Sequence, residues 1–254
     1  MTKEEFILAV QDLGISLTEQ QVSQLEKFYQ LLISWNEKMN LTRITDVEDV
    51  YLKHYYDSLT LLKAVDLSQV STLCDVGTGA GFPGIVLKIV FPNLKVTLVD
   101  SLQKRVTYLN TIIQELRLTD IVAYHVRGED YAKEHREEFD VVVARAVSEL
   151  RIIAEICIPM VKIGGHFIAM KGNVTEELLL GKRAVGILSG RIEDLISFSL
   201  PNDAGNRTLV VVSKLKNTEL KYPRPIDKIK KRALQYSMFY DIMLYRVKRI
   251  KRGN

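Results

Sequence analysis

One stretch of 28 residues constrains the fold of this chain more than any other. Residues 73–100 read LCDVGTGAGFPGIVLKIVFPNLKVTLVD, in which an apolar run, a glycine-rich turn and two further apolar runs follow one another. The run into Cys74 is typical of a buried parallel strand, and glycines are needed in a turn where a ligand touches the backbone. Pro83 suits the first turn of a helix, and residues 96–99 favour a second strand. The stretch therefore predicts a strand, a turn, a helix and a strand, as in mononucleotide-binding α/β folds.

The glycine turn leaves two classes of ligand open. From Gly79 the letters fit G-x-G-x-x-G, the dinucleotide fingerprint in which a helix N-terminus receives a pyrophosphate. From Gly77 they fit acid-x-G-x-G-x-G with Asp75 two residues ahead, and a nearby carboxylate favours a cationic ligand over a diphosphate. Asp100 ends the second strand, where a carboxylate can accept hydrogen bonds from both ribose hydroxyls. We interpret the turn as favouring S-adenosylmethionine, which is cationic, over a nicotinamide dinucleotide, with a purely structural turn as a third possibility.

The rest of the chain predicts an α/β fold with a seven-stranded sheet. Further buried strands are expected at residues 121–126, 139–144 and 167–170, the last after a turn at Gly164 and Gly165. Residues 191–200 and 206–215 form two consecutive strand patterns separated by PNDAG, which indicates a closing antiparallel hairpin. Five β-α repeats closed by a hairpin are typical of the Rossmann-like core of class I S-adenosylmethionine-dependent methyltransferases. Nicotinamide-binding domains normally lack that hairpin.

Two predicted helices at residues 3–14 and 18–39 precede the sheet, and Thr18 is a plausible N-cap of the second. We therefore expect three segments: an N-terminal helical extension at 1–66, a cofactor-binding core at 67–216 and a basic C-terminal tail at 217–254. The N-terminus MTKEEF lacks an apolar signal core, and no apolar stretch reaches the roughly 18 residues that span a bilayer. A soluble cytoplasmic protein is the expectation, with no membrane partner and no evident protein partner. Cys74 and Cys157 lack C-x-x-C spacing, so no metal site is expected.

Several polar residues follow strands at the edge where ligands bind in such folds. Gly128 and Glu129 follow the third strand, where the adenine of a ligand would lie. Arg145 follows the fourth strand, and we expect it to contact cofactor or substrate rather than to form only a surface ion pair.

A second group of polar residues has the composition of a serine hydrolase triad. It consists of His54, Asp57 and Ser58, which lie within five residues on one predicted helix. Serine hydrolase triads normally assemble from separate loops, so we do not expect a hydrolase.

Charge is distributed unevenly along the chain. Residues 214–254 contain 13 Lys or Arg and three acids, a net charge of +10, whereas the whole chain carries +4 and the rest therefore about −6. Lys228, Lys230, Lys231 and Arg232 form the densest basic cluster. Such a cluster indicates contact with a polyanion such as RNA, with a solvated helical face as the alternative. If RNA is the partner, these four side chains are expected to bind phosphate without affecting the cofactor.

Seven motifs together carry a resemblance to a known family. They are WNEKMNLTRIT, HYYDSL, DVGTGAGFPG, VTLVDSLQKRVTYLN, VRGE, VVVARAV and AMKG. Through them residues 20–234 resemble the bacterial small-subunit ribosomal RNA methyltransferase G family, also called glucose-inhibited division protein B. The resemblance implies transfer of a methyl group from S-adenosylmethionine to N7 of a guanine in the 530 loop of 16S rRNA, with that rRNA or the small ribosomal subunit as partner.

The resemblance also implies roles for particular residues. Gly77 and Phe82 would line the cofactor site, Gly128 and Glu129 would contact the cofactor near its adenine, and Arg145 would lie near cofactor and target as the catalytic residue. With Gly79 and Asp100, which the turn and the second strand indicate, these are the candidate site residues. The family usually has alanine in place of Gly128, and its C-terminal ending differs from KYPRPIDKIKKRAL. A nicotinamide-dependent oxidoreductase and a non-catalytic RNA-binding protein with a degenerate cofactor site remain the alternatives.

Overall fold

A computed structural model describes residues 1–145, 148–175 and 177–234. The described residues form a seven-stranded sheet in the order β3-β2-β1-β4-β5-β7-β6. Its strands are β1 Thr72–Val76, β2 Lys95–Asp100, β3 Ile121–His125, β4 Phe139–Arg145, β5 Val161–Lys171, β6 Gly190–Ser199 and β7 Asn206–Lys214. The first five strands pair in parallel, and β7 is antiparallel to both β5 and β6. The predicted sheet with a closing hairpin is therefore confirmed.

The helices lie around this sheet. Their bounds are α1 Lys3–Asp12, α2 Glu19–Met39, α3 Val47–Val50, α4 Asp57–Leu59, α5 Gly84–Val90, α6 Gln103–Glu115, α7 Gly128–Glu134, α8 Leu150–Cys157, α9 Leu178–Ile187 and α10 Ile226–Lys231. A π-helical segment, Tyr51–Tyr56, joins α3 to α4. Thr18 caps α2 through a capping box with Gln21, as the sequence predicts. Among the described residues no helix has the length and apolar character to cross a membrane.

The expected turn at Gly164 and Gly165 is wrong, because β5 continues through both glycines. Gly164 has a φ of +83°, and a Cβ added to Gly165 would lie 2.5 Å from the carbonyl oxygen of Asp140 on β4. The pairing of β4 with β5 shifts register between Phe139 and Val141, at the same place. The glycines thus allow β5 to be irregular and to approach β4 very closely. Glycine within a strand commonly serves this purpose, whereas glycine between elements makes a turn.

Apolar side chains fill both faces of the sheet. On one face α2 buries Leu25, Phe28 and Leu32 in a cluster that also contains Ile85 of α5 and Leu109 of α6. On the opposite face α7 and α8 pack on the central strands, and a second cluster forms there. The N-terminal helices therefore share a hydrophobic core with one face of the sheet. The division of the chain at residues 66 and 216 stays a prediction.

Candidate cofactor site

The glycine-rich turn runs from the end of β1 to the start of α5. Gly77, Gly79 and Gly81 have φ values of +72°, +61° and +94°, in the left-handed region that side chains disfavour. The Gly77 amide donates to the carbonyl oxygen of Val99 at 2.8 Å, which fixes the turn against the end of β2. Glycine at these positions is therefore a backbone requirement of the turn.

Asp75 stabilises the turn through hydrogen bonds to its carboxylate. Its Oδ2 accepts a hydrogen bond from the Thr78 hydroxyl at 2.7 Å and another from the Gly84 amide at 2.9 Å, so the carboxylate ties the turn to the first residue of α5. Asp75 is fully buried, and this burial raises its pKa to about 6. Its Oδ1 atom has no hydrogen-bond partner among the described residues. The carboxylate lies inside the turn and fixes its backbone. This role is more direct than the attraction of a cationic ligand, which the sequence suggested for Asp75.

Asp100 connects the turn to the end of β2. Its Oδ2 accepts from the Gly79 amide at 3.0 Å and from Arg105 Nη1 at 3.3 Å, and its Oδ1 accepts from the Leu102 amide at 2.9 Å. These bonds fix the orientation of the carboxylate at the carboxyl edge of the sheet. A carboxylate oxygen has more than one lone-pair direction, so an oriented Asp100 can still accept from a ligand hydroxyl.

A cavity of about 220 Å³ opens at this edge of the sheet. Its lining includes Gly77, Asp100, Gly128, Glu129, Ser148 and Ile156. The structure thus brings together four of the predicted site residues from the ends of β1, β2 and the start of α7. Gly79 joins them through its hydrogen bond to Asp100.

The cavity fits an adenosine-bearing cofactor in two respects. The Ser148 hydroxyl oxygen is buried at the cavity and has no hydrogen-bond partner among the described residues, so a polar group is available for a ligand. A Cβ added to Gly128 would lie 2.9 Å from Ile156 Cγ2 and 3.1 Å from Val76 Cγ1, so glycine lets α7 approach the apolar wall closely. An apolar wall with a few converging polar groups is the usual composition of a cofactor pocket.

Phe82 and Arg145 lie elsewhere, in a buried cluster that the described lining of this cavity does not include. Arg145 Nη1 donates to Asp57 Oδ2 at 2.9 Å and to the Lys53 carbonyl oxygen at 3.1 Å. The Arg145 guanidinium also lies 5.3 Å from the centre of the Phe82 ring, which is stacked on His54 with 4.3 Å between ring centres. The two predicted residues therefore meet each other, together with residues of the N-terminal extension.

Asp57 binds two arginines at once. Its Oδ2 accepts from Arg145, and its Oδ1 accepts from Arg207 Nε of β7 at 2.8 Å, while its own side chain is 5% exposed. Burial lowers the pKa of Arg145, and Asp57 opposes that effect. Asp57 therefore provides the negative charge between two buried or partly buried cations.

His54 completes this cluster as a neutral ring. Its Nδ1 lies 3.2 Å from Arg145 Nη2, and its Nε2 lies 3.0 Å from the Thr42 hydroxyl. Burial, followed by the charge of Arg145, lowers the pKa of His54 to about 3. The Ser58 hydroxyl donates to the His54 carbonyl oxygen at 2.6 Å and has no contact with the ring, so these residues do not form a hydrolase triad.

The sequence analysis missed His54 and Asp57 as partners of Arg145. Their spacing within five residues of one predicted helix indicated only neighbours on that helix, without a distant partner. A usable signal was present, since HYYDSL places a histidine and an aspartate one turn apart within an otherwise apolar stretch. Buried carboxylates need a cationic partner, and Arg145 at the end of an apolar strand was a candidate.

A second cavity of about 660 Å³ lies beside the ends of β4 and β5. It is lined by Glu149, Lys171, Asn173, Glu177 and Leu180. Lys171 donates to the Ser148 carbonyl oxygen at 2.5 Å and pairs with Glu177 at 2.8 Å. This bond connects a lining residue of the larger cavity, Lys171, to Ser148, which lines the smaller one.

The sheet order, the closing hairpin and the glycine turn facing a cavity at the carboxyl ends of the strands define a class I methyltransferase, whose cofactor is S-adenosylmethionine. A family model described as rRNA small subunit methyltransferase G matches residues 21–205. The chain belongs to this family.

Curated relatives agree with the family match. The ribosomal RNA small subunit methyltransferase G of Geobacillus sp. strain WCH70 is 48% identical over 238 residues, covering 92% of this chain and 100% of the relative. That of Staphylococcus saprophyticus is 50% identical over 213 residues, covering 83% and 89%. A solved structure named StiE O-MT is 15% identical with a TM-score of 0.50, covers 65% of this chain and 75% of its own, and supports the fold alone.

Proposed function

We propose that this protein transfers the methyl group of S-adenosylmethionine to N7 of a guanine in the 530 loop of 16S rRNA. The observation that carries the proposal is the cavity in which Gly77, Asp100, Gly128 and Glu129 converge, in a chain of the rRNA small subunit methyltransferase G family. The partner is then 16S rRNA or the small ribosomal subunit, and the proposed location is the cytoplasm, where ribosomes are assembled.

In this proposal the residues of the cavity hold the cofactor. Asp100 accepts hydrogen bonds from the ribose hydroxyls, Gly77 and Gly79 leave room at the turn, and Gly128 with Glu129 binds near the adenine. The bound cofactor supplies an electrophilic methyl group on a sulfonium sulfur. Asp100 is only 3% exposed, so a hydrogen bond that it accepts from a ribose hydroxyl is shielded from water and is correspondingly effective.

Methyl transfer to guanine N7 requires the protein mainly to orient the two reactants. N7 of a neutral guanine carries a free lone pair in the plane of the ring, so in-line attack on a sulfonium methyl needs no general base and no protein nucleophile. What the protein must provide is alignment and exclusion of water. We place the guanine at the larger cavity, which Lys171 and Asn173 line and whose residue Glu149 directly follows Ser148 of the cofactor cavity.

Arg145 is the proposed catalytic residue, carried over from the family resemblance, and it lies in the buried cluster with Asp57 and Phe82 rather than in the described lining of either cavity. Its guanidinium is bonded to Asp57 and the Lys53 carbonyl oxygen, so contact with a base or phosphate would require a rearrangement of this cluster when substrate binds. Phe82 supports it through a cation–π contact at 5.3 Å. Both assignments stay predictions.

Cofactor binding tests the proposed site directly. We expect Asp100→Ala to weaken binding of S-adenosylhomocysteine about ten- to hundredfold, since charge-assisted bonds to a ribose contribute about 1.5 to 3 kcal/mol. Gly77→Val should weaken it further, because φ of +72° excludes a branched side chain. Asp130→Ala on α7 removes an exposed carboxylate and should leave affinity unchanged. Unchanged affinity in folded Asp100→Ala and Gly77→Val, measured by calorimetry, would reject the site.

Two further measurements separate the alternatives. Calorimetry with NADH tests the nicotinamide-dependent oxidoreductase, for which binding of NADH in preference to S-adenosylhomocysteine is expected. Mass analysis of N7-methylguanosine in 16S rRNA from cells with and without the gene tests methyl transfer. Equal N7-methylguanosine in both strains would favour the non-catalytic RNA-binding protein.

A further inference from the structure

The segment after β7 is attached firmly to the cofactor-binding side of the sheet. Arg224 makes three hydrogen bonds to Glu155 of α8, from its amide to Oε1 at 3.0 Å, from Nε to Oε1 at 2.7 Å and from Nη2 to Oε2 at 2.6 Å. The side chain of Glu155 is fully buried. A buried carboxylate with a bidentate arginine partner fixes both position and orientation of the segment.

Further contacts hold the same segment on both sides of Arg224. Arg136 donates to the carbonyl oxygens of Tyr222 and Thr218, each at 2.6 Å. Ile229 of α10 is completely buried in the apolar cluster that contains α8. These contacts place α10 beside the cavity, although the sequence suggested only a basic tail.

Two residues of α10 line the cofactor cavity. They are Ile226 and Lys230, which lie one helical turn apart and therefore on the same side of the helix. Lys228, Lys231 and Arg232 are exposed and are absent from the described lining of the cavity. Of these four basic residues Lys230 alone belongs to the described lining of the cavity, and it is also exposed to solvent.

Lys230 adds a hydrogen-bond donor to a cavity whose two acidic residues already have cations close by, Arg105 at 3.3 Å from Asp100 and Arg127 at 3.9 Å from Glu129. Asp100 and Glu129 are carboxylates that only accept hydrogen bonds, whereas a lysine ammonium has three donors and no acceptor. Adenine ring nitrogens and ribose oxygens are hydrogen-bond acceptors. A donor at the mouth of the cavity complements them, and Ile226 extends the apolar wall formed by Ile152 and Ile156.

We propose that Ile226 and Lys230 of the docked C-terminal segment are part of the cofactor site, with Lys230 donating to the adenosine portion of the cofactor and Ile226 packing against it. The inference rests on the proposed function. It also separates Lys230 from the other three residues of the basic cluster, for which RNA contact stays the prediction.

Single substitutions on α10 test this assignment. We expect Lys230→Ala to weaken binding of S-adenosylhomocysteine about three- to tenfold, and Ile226→Ala about threefold, by calorimetry. Lys231→Ala is the matched control, because it removes the same charge from the next residue on the exposed side of the helix, and its affinity should stay within about twofold of wild type. Both lysines are exposed, so neither substitution should unfold the chain.

Hydrogen exchange provides a second readout. Addition of S-adenosylhomocysteine should slow amide exchange in residues 224–232 of the wild-type protein, because a ligand held by α10 opposes its detachment. The protection should be smaller in Lys230→Ala than in Lys231→Ala.

The outcomes distinguish this inference from the proposed function. Equal affinity of Lys230→Ala and Lys231→Ala, with Asp100→Ala weakened, would overturn the role of α10 and leave the cofactor site intact. Absence of any binding of S-adenosylhomocysteine to the wild-type chain would overturn both. Selective weakening in Lys230→Ala together with loss of the exchange protection supports the assignment.

Discussion

Asp57→Asn tests the idea that one buried carboxylate stabilises the junction between the N-terminal helices and the sheet. The substitution keeps the shape of the side chain and removes its charge. It also replaces one carboxylate oxygen by an amide nitrogen, which is a donor. Asp57 accepts hydrogen bonds from Arg145 at 2.9 Å and from Arg207 at 2.8 Å, so one of these two arginines loses its acceptor.

The expected loss of stability follows from burial. The side chains of Asp57 and Arg145 are 5% and 15% exposed, so water does not replace the missing bonds. Removal of one partner from a buried ion pair costs about 3 to 5 kcal/mol, because the remaining charge stays buried without compensation. Arg145 keeps the Lys53 carbonyl oxygen and His54 as neutral partners, which places the expectation at about 3 kcal/mol.

Urea unfolding followed by fluorescence provides the measurement, since the chain has a single tryptophan, Trp35, packed edge-on against Tyr108 at 5.8 Å. Circular dichroism on the same samples checks that both probes report one transition. Asp49→Asn is the control. Asp49 forms a 2.7 Å ion pair with Lys53, but the two side chains are 44% and 33% exposed, so its loss should cost about 0.5 kcal/mol or less.

The reasoning is refuted if Asp57→Asn costs less than about 1 kcal/mol, close to the control. A second comparison examines the mechanism. In an Arg145→Met background the same Asp57→Asn substitution should cost clearly less than in wild type, because the buried cation that needs Asp57 is gone. Equal costs in both backgrounds would show that the effect does not come from this pair.

Two further predictions concern buried titratable groups. Because burial lowers the pKa of His54 from 6.5 to about 3, the unfolded chain takes up the proton first, and stability is lost as pH falls below 6.5. Wild type should therefore lose about 2 kcal/mol more than His54→Gln between pH 7 and pH 5, and identical pH dependence of urea unfolding in both would contradict this. The raised pKa of Asp75 acts in the opposite direction in this range, so the difference between the two proteins is the informative quantity. Cys74→Ser and Cys157→Ala should each keep most of the methyl transfer to rRNA, because both thiols are buried and burial raises their pKa values. Abolished turnover in folded Cys157→Ala with intact cofactor binding would show that direct transfer is wrong.

The sequence was most informative where a local pattern fixes the backbone. The glycines of the turn predict how β1 connects to α5, and PNDAG predicts the hairpin that closes the sheet. The structure has both features. The pair Gly164 and Gly165 was misread because glycine serves turns and close strand contacts equally, and the neighbour that decides between them, Asp140, is distant in sequence.

The candidate site was predictable for residues at strand ends and poorly predictable for their partners. Asp100 is the last residue of β2 and lines the cavity at the carboxyl edge of the sheet, as the topology requires. Asp57 meets Arg145 across 88 residues of sequence, so the local pattern HYYDSL can indicate that Asp57 needs a cationic partner but cannot identify which cation it is. Lys230 was grouped with its basic neighbours by composition, whereas the docking of its segment depends on Arg224 and a glutamate 69 residues earlier.

The contacts of Asp57 with two arginines also affect the order in which the chain folds during its synthesis. The two arginines lie 88 and 150 residues further along the chain. During synthesis from the N-terminus, the helix that carries Asp57 leaves the ribosome long before β7 does, and until then its carboxylate has at most one of its partners. The second bond of Asp57 can form only when the closing hairpin is present, so a nascent chain that stops before Arg207 is expected to hold this carboxylate through Arg145 alone.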